Sequence, residues 1–332
     1  MNASHKRLLA TCAAVHGLQD GLTASIYVLL PVLAQSFGLG YAQIGAIRAV
    51  HSGAMWLLEI PAGILSERVG ERRLLVLGLT GAGVGYLAMS LANGYHGVLL
   101  ALLMAGCGAA FQHSLCSSLI AGAFEGPDRR VALGTYNASG DTGKLLFTGI
   151  ASVLFGFHVG WQGLATVYGF VALTAAGILW FVLRSIKEST VLPMTLGART
   201  AVGGWGVRDS KGFVSLASIV FLDIAVQDGF LVFVAFLMVA KQVPPALAAF
   251  AVVATLAGGV CGKFACGHLA AKLGIVRSLV LVQSLTAILM TIVFLSPTIV
   301  AFMLLPLLGL SLIHISEPTR RTPISYAVFC LK

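Results

Sequence analysis

At positions 63–73 the chain reads Gly63-Ile64-Leu65-Ser66-Glu67-Arg68-Val69-Gly70-Glu71-Arg72-Arg73, and from position 267 it reads Gly267-His268-Leu269-Ala270-Ala271-Lys272-Leu273-Gly274. Both stretches follow the pattern G-x-L-x-x-(R/K)-x-G, and both end a long apolar run. A tripeptide repeats at nearly the same separation, because Gln19-Asp20-Gly21 recurs as Gln227-Asp228-Gly229. Two matches at nearly one separation predict two similar halves that run in the same direction.

The composition predicts an integral membrane protein. Of the 332 residues, 58% are hydrophobic and 10% are charged, and the mean hydropathy is +0.94, whereas a soluble domain has roughly 25% charged residues. Disordered and collagen-like chains are excluded by the same composition. The net charge of +9 comes from short loops between apolar runs, so we expect no nucleic acid partner. The six cysteines show no metal-ligand spacing, and we interpret them as core residues.

The apolar runs predict an all-α protein with about ten transmembrane helices, because a helix needs roughly 20 apolar residues to cross a bilayer. The first run is too long and too polar for a cleaved signal peptide. The predicted spans are residues 8–35, 42–65, 74–92, 97–123, 131–156, 161–183, 213–240, 246–270, 275–296 and 297–310.

Lys and Arg residues predict the orientation of these spans. Fourteen of them lie in the N-terminal segment and in alternate loops, whereas the opposite loops carry only Lys241. Since cytoplasmic loops are enriched in Lys and Arg, we expect a cytoplasmic N-terminus in a bacterial inner membrane. The predicted domains are a six-helix bundle at 1–184, a cytoplasmic linker at 185–212 and an incomplete second bundle at 213–309.

The segment 63–73 resembles the signature of the major facilitator superfamily, G-x-L-a-D-R-x-G-R-R/K, and it lies between spans 2 and 3 as in that family. Glu67 stands where Asp is usual, and Glu71 stands where a basic residue is usual. The residues His16 to Asp20 and Asn137 to Asp141 are similar to the fosmidomycin-resistance-like branch of drug/proton antiporters. The resemblance implies two six-helix bundles, about ten of whose twelve helices are present here.

The resemblance also implies that the signature loop acts as a conformational latch rather than a substrate site. By its chemistry, Gly63 would allow close helix contact, Gly70 would turn the chain and Glu67 would accept from a helix N-terminus in the other half. The arginines would pair with Glu125 and Asp128. The predicted latch residues are Gly63, Glu67, Arg68, Gly70, Arg72, Arg73, Gly267, Lys272 and Gly274.

The residues from Leu310 onward differ in character from the rest of the chain. The stretch Leu310-Ser311-Leu312-Ile313-His314-Ile315-Ser316-Glu317-Pro318-Thr319-Arg320 resembles the translation of a transposase adapter used in sequencing libraries. We therefore expect 310–332 to be a non-native tail, and the native protein to continue for two more helices.

Polar and charged residues inside the spans are the candidate site, because a charge at the bilayer centre costs about 2.5–3.5 kcal/mol without a partner or a wet cavity. His16 and Asp20 lie four residues apart on one face of span 1, and Asn137, Asp141 and Lys144 share a face of span 5. The predicted substrate and proton path consists of Asp20, Arg48, His51, Gln112, His113, Asn137, Asp141, Lys144, Gln227 and Asp228.

The sequence leaves several roles open. Asp141 and Lys144 either neutralise each other or line the path. Arg48 either pairs with Asp20 or meets an anionic group of the substrate. Glu59 and Lys263 occupy equivalent places in the two halves and either lock them together or bind a ligand. Each histidine is either a hydrogen-bonded core residue or a proton carrier.

These residues predict a secondary active transporter that works by alternating access, with proton-coupled efflux of a small molecule. Asp20 and Asp141 are the expected proton carriers, followed by His51 or His113. An uptake symporter and a non-functional fragment are the alternatives. An integral membrane enzyme is disfavoured because the zinc-protease pattern His-Glu-x-x-His and a rhomboid-type G-x-S-G are absent from the sequence. We expect a monomer in the lipid bilayer with no cofactor, metal or catalytic residue, and the substrate remains open.

Overall fold

The protein is described by a computed structural model that covers residues 3–185 and 210–312. Every regular element in these two ranges is an α-helix, as the composition predicts. The helices are α1 (Ala3–Phe37), α2 (Tyr41–Val69), α3 (Glu71–Ser90), α4 (Tyr95–Ala109), α5 (Gln112–Ala123), α6 (Gly126–Gly156), α7 (Trp161–Ser185), α8 (Ser210–Ala240), α9 (Pro245–Leu273), α10 (Ile275–Leu295) and α11 (Thr298–Ser311).

The predicted fourth span, residues 97–123, is confirmed as one candidate membrane span, Tyr95–Ala123, but it is not one continuous helix. The helix α4 ends at Ala109, and α5 begins at Gln112. Gly108 favours a break because glycine is a poor helix former, and it also packs on α3, where a Cβ on Gly108 would collide with the carbonyl oxygen of Gly78. The break places Gln112 and His113 in the first turn of a new helix.

Length and composition alone qualify six of the described segments as membrane spans, with α4 and α5 counted together. The helices α2 and α6 lie outside that set, and they carry many of the charged residues of the predicted path. Large apolar side chains cover the outer surfaces of the other helices. On α7, for example, Ile178 and Phe181 are exposed, which is unusual for a soluble monomer and suits contact with lipid.

The chain divides into two compact units, Met1–Thr195 and Leu196–Lys332. In the first unit, α1 packs along α6 with backbone against backbone. A Cβ on Gly143 would collide with the backbone of Gly17, and a Cβ on Gly17 would lie 2.9 Å from the carbonyl oxygen of Ser139. Small residues of this kind allow close contact between helices in membranes. The predicted linker falls largely on 186–209, outside the described residues.

The internal repeat is visible in the geometry of each unit. We call the separation in sequence between Gly63 and Gly267 the repeat offset. The helices α2 and α9 begin and end at this same offset. The glycines that follow them, Gly70 and Gly274, have φ angles of +92° and +80°, which explains glycine at both turns.

The turns that precede these two helices match as well. Gly38 before α2 and Gln242 before α9 are again separated by the repeat offset, and their φ angles are +62° and +68°.

Helix packing repeats as well. A Cβ on Gly106 of α4 would collide with the carbonyl oxygen of His51 on α2, and a Cβ on Gly309 of α11 would collide with that of Thr255 on α9. Thr255 is the residue that the repeat offset pairs with His51. The two units therefore share a backbone plan over at least the first four spans of each.

The repeat also corrects the register of the Gln-Asp-Gly tripeptides. At the repeat offset, Asp223 corresponds to Gln19 and Ile224 corresponds to Asp20. The two tripeptides are separated by more than this offset, so Asp228 is displaced from the position of Asp20 by about one helical turn. The sequence match pairs the right helices but not the right residues.

In the signature loop, Gly70 ends α2, and its N–H donates to the carbonyl of Ser66 at 2.9 Å. The expected close contact at Gly63 is wrong for the part of the chain that is described, because a Cβ there would meet no atom within 4 Å. Arg72 donates to the carbonyl of Leu183 at 3.3 Å, which ties the start of α3 to the end of α7. The Glu71 carboxyl lies beside the hydroxyl of Ser118 on α5.

The second copy of the loop is only partly described. Gly274 forms the turn before α10, and Lys272 is exposed. The side chains of 263–268 lie outside the described residues, so the predicted roles of Lys263 and Gly267 fall there. The latch function stays a prediction.

Candidate functional site

A buried group of charged side chains lies in the first unit, at the middle of α1 and α6. Its centre is Asp20, whose side chain is 7% exposed. The Nζ of Lys144 lies 3.1 Å from Oδ2 of Asp20. Because ion pairs removed from water need close partners, this contact accounts for a carboxylate at that depth.

Two histidines complete the surroundings of Asp20. Nε2 of His16, one turn earlier on α1, lies 3.3 Å from Oδ2. Nε2 of His113, at the start of α5, lies 3.4 Å from Oδ1. We name Asp20, His16, His113, Lys144 and Asp141 the acid–histidine cluster.

Asp141 joins the cluster through Lys144, because its Oδ1 lies 3.5 Å from Nζ. Lys144 therefore contacts two carboxylates, and the closer one is Asp20. One interpretation of the sequence is that Asp141 and Lys144 neutralise only each other. That interpretation does not account for the contact of Lys144 with Asp20. Lys144 is about one-third exposed, so the cluster has an edge that a solute can approach.

The backbone of α6 makes room for the cluster. Gly140 lies one turn before Lys144, and a Cβ on it would be 2.6 Å from Cε1 and 2.7 Å from Nε2 of His16, and 2.8 Å from Oδ2 of Asp20. No real side chain tolerates such distances. Gly140 is therefore the residue that lets the His16–Asp20 pair lie against α6.

The sequence prediction omitted His16 from the path. Nδ1 of His16 lies 2.8 Å from the carbonyl oxygen of Tyr136 on α6, and the two rings stack with centroids 4.0 Å apart. The spacing of His16 and Asp20 on one helical face was visible in the sequence. The contribution of Tyr136 had no such signal, because it depends on the packing of α1 against α6.

Arg48 does not pair with Asp20, so that alternative is wrong. One NH2 of Arg48 donates to the hydroxyl of Tyr27 at 2.5 Å, and the guanidinium lies 4.3 Å from the centroid of the Tyr27 ring. The interaction joins α2 to α1 through a phenol rather than through a carboxylate, and a contact of Arg48 with an anionic group of the substrate stays a prediction. A cation over an aromatic face is a favourable contact.

The other predicted residues of the first unit lie around these contacts. His51 is buried and packs where α2 meets Gly106, and its Nδ1 has no hydrogen-bond partner among the described residues. Gln112 donates to the hydroxyl of Tyr136 at 2.8 Å. Asn137 is partly exposed on α6.

Among the predicted residues of the second unit, Gln227 takes part in a polar group around Asp223. Gln283 of α10, which the sequence analysis missed, donates to Oδ1 of Asp223 at 2.5 Å. Nε2 of Gln227 lies 3.5 Å from Oδ2 of the same carboxylate. Asp228 is partly exposed one turn further along α8.

One set of side chains in the described part could hold a metal ion. His16, Asp20 and His113 each offer a ligand atom, and these atoms lie within 4.8 Å of one another. The ammonium of Lys144 already contacts the carboxylate that such an ion would need. Because two cations would compete for one carboxylate, the chemistry of the set does not favour a resident metal.

A comparison of the sequence with known families gives a match to the Major Facilitator Superfamily over residues 9–320. The chain belongs to the major facilitator superfamily. It is therefore a multi-pass membrane protein of a transporter family, with a two-bundle helical fold. The match extends to residue 320, beyond Leu310, and residues 313–332 lie outside the described part of the chain, so a non-native origin of 310–332 stays a prediction.

Curated relatives carry transporter names. A probable 4-methylmuconolactone transporter of Cupriavidus pinatubonensis is 26% identical over 84% of this chain and 64% of its own length. The fosmidomycin resistance protein of Escherichia coli is 26% identical over 56% of this chain and 42% of its own length. The chain thus spans less than two thirds of either relative.

Solved structures support the fold. A bacterial homologue of the human lysosomal transporter Spinster, in an inward-facing and occupied conformation, has a TM-score of 0.78 over all of this chain and 79% of its own, at 16% identity. The nucleoside transporter NupG has a TM-score of 0.72 over 92% of this chain and 79% of its own, at 14% identity.

Proposed function

We propose that this superfamily member is a proton-coupled secondary transporter of a small organic molecule, and that it works as an efflux antiporter by alternating access. It lies in the bacterial inner membrane with its N-terminus in the cytoplasm, in keeping with the bias of Lys and Arg towards alternate loops. The family supports the assignment as a transporter, and the acid–histidine cluster supports the proton as the coupling ion.

The observation that carries the proposal is the surroundings of Asp20. A buried ionisable residue at the middle of a membrane helix is expensive, and such residues mark proton and substrate pathways. Here Asp20 contacts an ammonium and two imidazoles. Because Lys144 contacts Asp20 directly, a charged solute that binds at the exposed edge of Lys144 alters the charge balance around Asp20.

Antiport follows from competition for this charge balance. Asp20 and Asp141 carry two negative charges against one on Lys144, and a proton restores neutrality. A substrate that contacts Lys144 or Asp141 changes this balance of charge. The proton and the substrate therefore bind in alternation, and each favours the state of the transporter from which the other has left. The same cluster would serve a symporter if the substrate bound only after protonation, and the sign of proton movement distinguishes the two.

The names of the relatives suggest where to look for the substrate. Besides the two relatives above, a probable L-galactonate transporter of Escherichia coli and a gallate transporter of Pseudomonas putida match this chain at 25% and 22% identity. Galactonate and gallate are carboxylates. We therefore include small organic anions, with the drug fosmidomycin, among the first compounds to test.

The test uses the 332-residue chain in proteoliposomes with gallate, L-galactonate and fosmidomycin as probes. A transported probe should move against its gradient when a proton gradient is imposed, and proton flux should run opposite to it. Asp141→Asn should abolish this driven transport while exchange of probe for probe continues, because exchange needs no net proton movement.

Asp128→Asn is the matched control, because Asp128 is an acid in the first turn of the same helix. It should retain driven transport. Wild-type driven transport in Asp141→Asn would remove Asp141 from the mechanism, and proton flux in the same direction as the probe would replace antiport by symport.

A further inference from the structure

The hydrogen bonds of His16 have a chemical consequence. A carbonyl oxygen accepts hydrogen bonds and has no proton to donate. Nδ1 of His16 lies 2.8 Å from the carbonyl oxygen of Tyr136, so Nδ1 must carry a proton. In a neutral imidazole the other nitrogen, Nε2, is then an acceptor.

Nε2, however, faces another acceptor, because it lies 3.3 Å from Oδ2 of Asp20. The opposite tautomer only moves the conflict, since Nδ1 without a proton would face the Tyr136 carbonyl. Either neutral tautomer leaves two acceptors in contact in a buried site, which is costly. Both contacts are satisfied only when one further proton lies between His16 and Asp20.

Lys144 decides which of the two residues holds that proton. Its ammonium lies 3.1 Å from the same oxygen, Oδ2, and favours the ionised carboxylate. The Tyr136 ring stacks on the imidazole at 4.0 Å, a position that suits a cationic ring. A divalent metal between the two residues would instead place two cations against one carboxylate.

We propose that His16, and not a carboxyl group, carries the exchangeable proton of the acid–histidine cluster, as an imidazolium that donates to the Tyr136 carbonyl through Nδ1 and to Asp20 through Nε2. This rests on the proposed function for its role in transport. The groups that face His16 are Asp20 on its own helix, the edge of the His113 ring on α5, and Tyr136 on α6, with Lys144 and Asp141 behind Asp20. Gly140 is a positioning residue for the pair.

The proposal deepens the proposed cycle in one respect. When His16 releases its proton, the Nε2–Asp20 contact within α1 changes from attraction to a contact of two acceptors. The charge of Asp20 is then balanced by its contacts with Lys144 of α6 and His113 of α5, so deprotonation shifts the charge of α1 onto its contacts with the neighbouring helices. This gives the proton a direct effect on helix contacts that an isolated carboxyl would not have.

The test is nitrogen NMR of the full chain labelled with ¹⁵N-histidine, in lipid nanodiscs, with the signal assigned by its loss in His16→Asn. The asparagine amide can still donate to the Tyr136 carbonyl, and His16→Gln is a second assignment variant if this one does not fold. At pH 6 the His16 signal should show two protonated nitrogens. Asp20→Asn should convert it to a neutral ring, because an amide can donate to Nε2.

Gly140→Ala should also abolish the imidazolium signal, because its Cβ would displace the His16 ring. The control Gly149→Ala on the same helix should retain it, since a Cβ there meets no atom within 4 Å. A neutral His16 ring in the wild type would overturn the proposal, as would an imidazolium that survives Asp20→Asn. A signal that a chelator alters would assign the site to a metal instead, and also overturn it.

The readout involves no transport, so its outcome is separate from that of the proposed function. If NMR shows a neutral His16 while Asp141→Asn still uncouples transport from protons, this inference alone is contradicted and the proposed function stands. An imidazolium in a chain whose transport is not driven by protons would leave the buried pair in place and sink the proposed function.

Discussion

The helices α1 and α8 begin the two units and correspond to each other in the internal repeat, yet Asp20 on α1 and Asp223 on α8 have different surroundings. Asp20 contacts the ammonium of Lys144 and two imidazoles. Asp223, one residue away from the equivalent position, accepts hydrogen bonds from the amides of Gln227 and Gln283. The same backbone thus places an ammonium and two imidazoles beside Asp20 in one unit and two amide donors beside Asp223 in the other.

The repeat preserves helix packing in the two units, whereas the polar side chains around the acids differ. The turns at Gly70 and Gly274 and the contacts at Gly106 and Gly309 recur, because both depend on the absence of a side chain. The partners of Asp20 come from α5 and α6 and are not set by the repeat. Proton coupling is therefore expected to be a property of the first unit.

The largest expected effect compares Asp20→Asn with Asp223→Asn. If protons and substrate compete through Asp20, lowering the pH should weaken substrate binding by a coupling factor of about 5–150-fold. Asp20→Asn should reduce this factor to about one, whereas Asp223→Asn should keep most of it, because amides can hydrogen-bond an amide as well as a carboxylate. Binding of the probe that proves to be transported, measured at pH 6 and pH 8, checks this.

Wild-type folding of both variants, seen as equal thermal unfolding midpoints in detergent, is the necessary control. Equal loss of pH dependence in the two variants would contradict a division of labour between the units, and would place a second proton site at Asp223.

Much of this architecture could be predicted from the sequence, because it depends on local patterns. Apolar runs of about 20 residues set the spans, and the turn at Gly70 follows from its place between two such runs. The break after Ala109 could not be predicted, since it depends on the packing of Gly108 against Gly78 on another helix. The whole stretch 97–123 is apolar enough to be read as one span.

The site shows the same limit. The sequence alone identifies Asp20, Asp141 and Lys144 as candidate site residues, because they are ionisable residues within predicted membrane spans. Their partners depend on which helices are neighbours. The contact of Asp20 with Lys144, rather than with Arg48, requires that α1 lie against α6, and this adjacency is made by Gly17 and Gly143.

A smaller expected effect tests whether the two units pack alike. Gly106→Ala should collide with His51, and Gly309→Ala with Thr255, both at backbone atoms. Overpacking of this kind costs roughly 1–3 kcal/mol, so each variant should lower the thermal unfolding midpoint of the chain in detergent by a similar amount. Gly149→Ala, whose Cβ meets open space, should leave the midpoint unchanged or raise it.

If only one of the two substitutions destabilises the chain, the packing of α2 with α4 and of α9 with α11 is not equivalent. The repeat would then be limited to the turns, and the shared offset would describe the connections between helices rather than the bundles.

The smallest expected effect concerns the turns at Gly38 and Gln242, which have nearly the same positive φ. The left-handed conformation costs a residue with a Cβ about 1–2 kcal/mol, and Gln242 bears this cost whereas Gly38 does not. Gln242→Gly should therefore stabilise the chain slightly, since the gain is offset in part by the greater freedom of glycine when unfolded. Gly38→Gln should destabilise it by a similar amount, and open space around Gly38 leaves backbone conformation as the cause. The two shifts in thermal unfolding midpoint should have opposite signs, and a loss of stability in both variants would show that the Gln242 side chain, and not its backbone angle, determines the second turn.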